Sequence, residues 1–236
     1  MGWLTRQWQR LNDATIGADS YWSIAVQNAS IFADTRPLIT NHIRGKTLDI
    51  GAGNLAWRKI LSAQASSYLS SDFTVTRNGI NCVFDVTKPF PLADNSLDSL
   101  FCHSVLEHTK KPWEAFGELY RILKSEGTLV LSVPFLFYLH GAPHDYFRFT
   151  KFGIVMLAAD AGFSVDKVTL SGGIFSLIFN LPSVVVSTVL FSIGCRAFIP
   201  LATGLLTRCA KILDNAFDPQ RLFALNIVLV LRKQAT

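Results

Sequence analysis

The chain has 236 residues, enough for one α/β domain with a full core and short for two. Half of its residues are hydrophobic and only 17% are charged, below the quarter usual in globular proteins. The formal charge of +5 is modest, and no cluster of Lys and Arg interleaves with aromatics, which argues against a nucleic-acid groove and leaves an anionic membrane surface or an acidic substrate. Cysteines stand at 82, 102, 195 and 209 with neither a CxxC pair nor metal-ligand spacing, so a reducing compartment without structural metal is expected. The first residues, MGWLTRQWQRLNDA, lack the apolar core of a secretory signal, and the cytoplasm is the expected location.

In chain order, residues 1–45 are expected to form a helical cap carrying Trp3, Trp8, Tyr21, Trp22 and Phe32. KTLDI (46–50) reads as a short buried strand that runs into Gly51-Ala-Gly53 and a helix over 54–64. Further strands are expected at 67–71, ending on Asp72, at 81–84, followed by Asp85, and at 97–102. An amphipathic helix over 113–124 stops before Gly127, and 128–133 is the fifth strand. A helix over 150–161 with Thr150 as N-cap, a strand at 163–170 and a last strand at 222–231 complete the pattern. Alternating strands and helices imply a mostly parallel seven-stranded sheet, Rossmann-like, with helices on both faces. The domain boundaries expected are a cap at 1–45, a core at 46–171, an insertion at 172–213 and the last strand within 214–236.

In such sheets ligands bind beyond the carboxyl ends of the strands, so the residues that follow each strand carry the chemistry. Gly51 and Gly53 permit a sharp turn and close backbone approach, but Gly51-Ala-Gly53-Asn-Leu-Ala56 also fits a dinucleotide fingerprint. Asp49 decides between the two: a carboxylate at the strand end attracts a cationic amino-acid cofactor and repels a pyrophosphate. Asp72 can accept ribose hydroxyls and Asp85 an adenine amino group. A nicotinamide oxidoreductase is the second enzyme reading, and a non-catalytic membrane-bound scaffold the third. Tyr120-Arg-Ile-Leu-Lys124 matches the YxxxK of short-chain dehydrogenases but falls on the amphipathic helix, away from the strand ends, where a packing tyrosine and a solvated lysine are expected.

LDIGAGN, the Asp72 strand end, FDVTKPFPLADNSLDSLFCHSVLEH and RILKSEGTLVLSVP together resemble the class I methyltransferases of the type 11 group, over roughly residues 46–170. The resemblance implies S-adenosylmethionine as cofactor, with Asp49, Gly51, Gly53 and Asn54 at its methionine part. It further implies Asp72 at the ribose, Asp85 at the adenine, and His103 and Ser104 beside the sulfonium. Asn54-Leu55 stands where the family carries its third glycine. The stretch VPFLFYLHGAPHDYFRFT resembles the HxxxHDYxRxT loop of a methyltransferase subgroup that accompanies cell-surface polysaccharide enzymes. An oxygen acceptor must lose a proton, which a histidine held by a carboxylate can take; His144 with Asp145, or His140, are the candidates. Arg148 and Tyr146 are expected either to hold substrate or to pin this loop to the next helix.

From Val168 to Cys195, and again over the 11 residues from Ala197 to Thr207, no residue is charged. The first run is long enough to span a bilayer, but the chain must return to its sheet, and the second run covers only about half a hydrocarbon core. A helical hairpin dipping into one leaflet is expected, with Pro182 kinking the first helix and Arg196, Arg208 and Lys211 reaching headgroups. The competing reading is a helical layer packed on protein or across a homodimer interface. A membrane-dipping hairpin suits a lipid-linked saccharide acceptor, with the enzyme peripheral or monotopic on the inner face of the membrane.

Overall fold

The structure, a computed structural model, describes residues 2–75 and 78–235. The chain divides into two compact units: one takes Thr35–Thr169 and the chain from Ile227 on, the other takes the chain up to Asp34 together with Leu170–Asn226. The segment expected as a cap and the segment expected as an insertion therefore form one unit, with boundaries at 34/35, 169/170 and 226/227.

In the larger unit the strands are β1 (Lys46–Ile50), β2 (Ser67–Asp72), β3 (Cys82–Val83), β4 (Leu97–His103), β5 (Leu123–Pro134), β6 (Phe163–Ser171) and β7 (Asn226–Lys233). They form one seven-stranded sheet in the order β3-β2-β1-β4-β5-β7-β6. β1 pairs in parallel with β2 and β4, β2 with β3, and β4 with β5. The start of β6 lies against the end of β7, where Ser164 donates to the Arg232 carbonyl at 3.2 Å and Asp166 pairs with Arg232 at 2.8 Å, as antiparallel neighbours do. This seven-stranded mixed sheet with its helices is the Rossmann-like α/β fold. Its central strands are buried on both faces, which is why they read as unbroken apolar runs: Leu100-Phe101-Cys102, Leu129-Val130-Leu131 and Ile227 to Leu231 are each 0% exposed.

Three boundaries depart from expectation. The helix after Gly53 begins only at Arg58 (Arg58–Gln64), because 51–57 is spent on successive turns, with Leu55 at φ 61°. The helix Pro112–Ile122 passes directly into β5, so the stop is at Leu123 rather than Gly127. The last strand begins at Asn226, later than the β-rich composition of 222–225 suggested. Thr150 does cap its helix, Lys151–Asp160, accepting the Gly153 N–H at 3.1 Å.

In the second unit two 19-residue helices, Ile174–Ser192 and Ile199–Phe217, form the expected hairpin. The second is longer than its uncharged stretch because it continues through Arg208 and Lys211, and the first runs unbroken through Pro182. Their polarity is inverted. On the first helix the buried residues are Ser176, Asn180, Ser183, Ser187 and Thr188, while Leu177, Ile178, Leu181, Val185 and Val189 are exposed. On the second, Ile199, Thr203, Ala210 and Asp214 are buried, while Leu201, Leu205, Ile212 and Phe217 are exposed. One apolar cluster in this unit joins Leu11, Ile24 and Ile199 with Trp8, Tyr21, Leu190 and Phe191 around them, and Trp22, Val26 and Ile31 are buried as well.

Inside this unit the polar stripe is paired at Ser176, Asn180, Ser183 and Thr188, whereas the Ser187 hydroxyl is buried without a partner. Asn180 and Ser183 accept the Gln27 and Val26 N–H groups at 3.1 and 3.0 Å, capping the helix Val26–His42. Asp214 accepts from Phe175 N–H at 2.7 Å, Ser176 N–H at 3.2 Å and the Ser176 hydroxyl at 2.6 Å, a carboxylate at the positive end of the first hairpin helix. Gly173 makes room for it, since a Cβ there would stand 2.7 Å from the Asp214 carboxyl. Replacing Asp214 by Ala strands these donors in a buried site and should cost roughly 2–4 kcal/mol. The check is denaturant unfolding in detergent, with an unchanged midpoint counting against this cap.

Candidate active site

A cavity of about 620 Å³ opens at the carboxyl ends of β1 to β4, in the larger unit. The chain runs outward from β1 to β2 and β3 and returns to β4 on the opposite flank of β1, so this is the topological switch point of the sheet. Gly51 follows β1, Asp72 ends β2, Asp85 follows β3 and Ser104 follows β4, and all four line the cavity.

The β1 turn is built for close approach. Gly51 sits at φ 64° with Val105 packed where a side chain would be, and Gly53 at φ 51°. The Gly53 N–H donates to Asp72 Oδ2 at 2.6 Å, and Ala52 N–H to the Ser71 carbonyl at 2.8 Å, which ties the turn to the end of β2. Asn54 lies in that turn, and Leu55 adopts the left-handed backbone for which a glycine is usually required. Asp72 keeps its other oxygen on the Phe73 N–H at 2.7 Å. At Asp85, burial pushes the carboxyl up, but the Thr87 hydroxyl and N–H outweigh it and hold the group below its ordinary value.

Asp49 does not reach the cavity wall. It is 2% exposed and accepts the Tyr68 hydroxyl at 2.8 Å. Burial raises its carboxyl from 3.8 to about 7, with Tyr68 opposing and Asp72 adding to the rise. His103 is likewise not among the lining residues: its ring packs on Trp57 and Phe101, its Nδ1 is buried without a partner, and burial lowers it to about 4. Of the two residues expected together beside the sulfonium, Ser104, at φ 53°, lines the cavity and the His103 ring does not.

The loop after β5 is organised around Arg148 and Asp145. Their fork, 2.5 and 2.8 Å, holds the Asp145 carboxyl well below the usual range. Arg148 also donates to the Phe137, Tyr138 and Phe147 carbonyls, so it is spent inside the loop rather than on substrate. The expected His144–Asp145 pair does not form, because Asp145 is held by Arg148 and by the His140 N–H at 2.8 Å. His144 instead meets the Tyr146 hydroxyl at 2.9 Å through Nδ1, and both residues line the cavity. His140 turns to the other side, where its Nε2 lies 3.6 Å from Glu107.

Glu107 and His108 were not singled out as site residues in the sequence. They follow β4 in a short turn of 3-10 helix, Leu106–His108, and the strand-end rule that marks Asp72 and Asp85 also reaches them. His108 lines the cavity and its Nδ1 lies 2.5 Å from the His144 carbonyl. The Glu107 carbonyl accepts the Tyr146 and Phe147 N–H groups at 2.8 and 3.2 Å, joining this turn to the loop. Tyr120 and Lys124 do not pair: Tyr120 packs on Phe163, and Lys124 bonds Asp98 at 2.7 Å.

Residues 48–131 match the family described as a methyltransferase domain. No curated protein matches the sequence. The fold is shared with a chain of the complex between the Haloferax volcanii Trm112 methyltransferase activator and a methyltransferase, at 14% identity and TM-score 0.60, covering 99% of this chain and 96% of that one. It is shared with an S-adenosylmethionine-dependent methyltransferase from Mesorhizobium loti, at 14% identity and TM-score 0.55, covering 88% and 100%. The [4+2]-cyclase SpnF has it too, at 15% identity and TM-score 0.58, covering 86% and 80%. Over residues 48–131 the chain is similar to methyltransferase domains, and its fold is the one these S-adenosylmethionine-dependent methyltransferases share, which implies S-adenosylmethionine as cofactor.

The raised Asp49 carboxyl fixes a stability profile for the cofactor-free protein. An acid whose folded value lies above its unfolded one contributes stability that is complete below about 3.8 and lost as pH rises through about 7. Asp49→Asn should therefore gain on the natural protein as pH rises, levelling off above about pH 7 with a difference of no more than about 4 kcal/mol. Thermal unfolding from pH 4 to 9 checks this; parallel curves for the two proteins would contradict it.

Proposed function

We propose that the enzyme transfers the methyl group of S-adenosylmethionine to a hydroxyl of a saccharide carried on a lipid, working at the inner face of a membrane. The observation that carries the lipid part is the inverted hairpin, whose two helices bury Ser, Thr, Asn and Asp and expose Leu, Ile, Val and Phe. In water such a face is unfavourable, whereas in hydrocarbon small and polar residues belong between helices and apolar ones outside. The first helix is long and apolar enough to cross a membrane by length and composition. Arg208 and Lys211 on the second favour a hairpin that enters one leaflet and returns. Attachment of the methyltransferase domain to a membrane-held unit by one chain raises its local concentration over a lipid-borne acceptor. The saccharide rests on the likeness of the residues 133–150 to the HxxxHDYxRxT loop.

In the cofactor site, Asp72 takes the ribose hydroxyls and Asp85 the adenine amino group. Gly51, Gly53 and Asn54 form the turn under the methionine part, with the Asp49 charge behind it favouring the cofactor's ammonium. Ser104 stands at the sulfonium end. His144, kept in the cavity wall by Tyr146, accepts the acceptor's proton as the methyl carbon moves from sulfur to oxygen. Asp145 and Arg148 act through the loop, holding His144 and Tyr146 in place.

Isothermal titration with S-adenosylhomocysteine should give micromolar binding, NADH none, and Asp72→Ala a loss of tenfold or more. His144→Ala should keep that binding and lower kcat by about 100-fold. A His144→Ala enzyme of full activity would remove the base assignment. Fractionation at low and high salt should leave the protein with membranes, and a labelled methyl group should enter polyprenyl-linked rather than free sugar; a wholly soluble protein would end the lipid reading.

A further inference from the structure

We propose that Glu107, His108 and His140 bind a divalent metal ion of the zinc class in the wall of the cavity. Both Glu107 oxygens are buried without a hydrogen-bond partner, and the side chain is 0% exposed. A carboxylate so placed is costly unless a positive charge faces it. The groups that do face it are two imidazoles: His140 Nε2 and His108 Nε2 lie 3.6 and 3.7 Å from the same oxygen, Oε1. That is too long for a hydrogen bond. It suits two ligands on one ion, since a tetrahedron with bonds of ~2.1 Å has edges of about 3.4 Å. One ligand atom from each of the three residues lies within 4.8 Å of the others.

The outer contacts agree. A carbonyl can only accept, so the short contact from His108 Nδ1 to the His144 carbonyl puts the proton on Nδ1 and leaves a lone pair on Nε2, turned to Glu107. Orientation of a ligand histidine by a backbone carbonyl is the usual arrangement around a bound metal. His140 Nδ1 lies 3.3 Å from both the Tyr138 carbonyl and Arg148 Nη2, with Nε2 turned to Glu107; a proton donated from Nδ1 to the carbonyl is the form that leaves the Nε2 lone pair for the ion. The nearby Arg148 charge is taken up by Asp145. Two imidazoles and a carboxylate select a borderline ion over Mg²⁺ or Ca²⁺, and three protein ligands leave a fourth position open.

Of the three ligands His108 lines the cavity while Glu107 and His140 lie behind it, so the acceptor would approach the ion from the His108 side. Resting on the methyl-transfer reading, the ion would bind the acceptor oxygen and lower the pKa of its O–H. The proton passes to His144, the oxygen forms the new bond to the methyl carbon, and the C–S bond breaks with its electron pair returning to sulfur.

Metal-free protein titrated with Zn²⁺ should take up one ion per chain, and Co²⁺ should give a visible absorption spectrum of low coordination number. His140→Ala and Glu107→Gln should each weaken Zn²⁺ binding about 100-fold or more. S-adenosylhomocysteine binding measured on the same samples reports that they are folded. His140→Ala carries the decision if the buried Glu107 variant does not fold. Natural protein that binds neither ion, or His140→Ala that binds Zn²⁺ as tightly, overturns the site. Metal uptake in a protein that ignores S-adenosylhomocysteine would leave the metal site standing and remove the methyl-transfer reading.

Discussion

The parallel pairing of β1 between β2 and β4 is the constraint on which the rest of the site depends. Ile50 stands opposite Ser71 on one side and Cys102 on the other, so three chain segments leave the sheet at the same level and in the same direction. Whatever follows those residues is forced together: the glycine turn, Asp72, and the run from Ser104 to His108. The pairing is held by apolar surface on both faces rather than by the site residues themselves, which leaves the strand ends free to carry charge. A carboxylate such as Asp49 can be buried at this junction because Tyr68 on the adjacent strand supplies its hydrogen bond.

Much of this arrangement was legible in the sequence, for a definite reason. The apolar runs of β1 and β4, the glycine that follows β1 and the aspartate that ends β2 gave these three strands to within a residue or so. Boundaries failed where the backbone did something composition does not encode. Leu55 takes a left-handed conformation that glycine usually fills, so the helix starts late, and the helix before β5 passes into the strand without a turn. The hairpin was legible from missing charge, but its inverted burial was not, because hydropathy gives the amount of apolar surface and not the side it faces.

Side-chain partners were the least legible. His144 and Asp145 are neighbours in sequence, yet their side chains take different partners, Tyr146 and Arg148. Sequence adjacency in a loop says little about contact, since successive side chains can point to opposite sides. The cluster of Glu107, His108 and His140 shows the converse. Ligand spacing among cysteines does not reveal it, because its members lie on two segments that meet through the Glu107 carbonyl with the Tyr146 and Phe147 N–H groups and through His108 with the His144 carbonyl.

The same fold in a [4+2]-cyclase and in a methyltransferase makes clear that the sheet does not dictate the reaction. What remains specific to this chain is the wall opposite the strand ends. Arg148 and Asp145 spend their charges on each other and on loop carbonyls, which fixes the loop without placing a net charge in the cavity. His108, His144 and Tyr146 are among the polar groups that line the cavity on this side, and each carries an exchangeable proton. Lys110 and Lys111 line the same cavity, and Lys111 is paired with Glu114 at 2.7 Å.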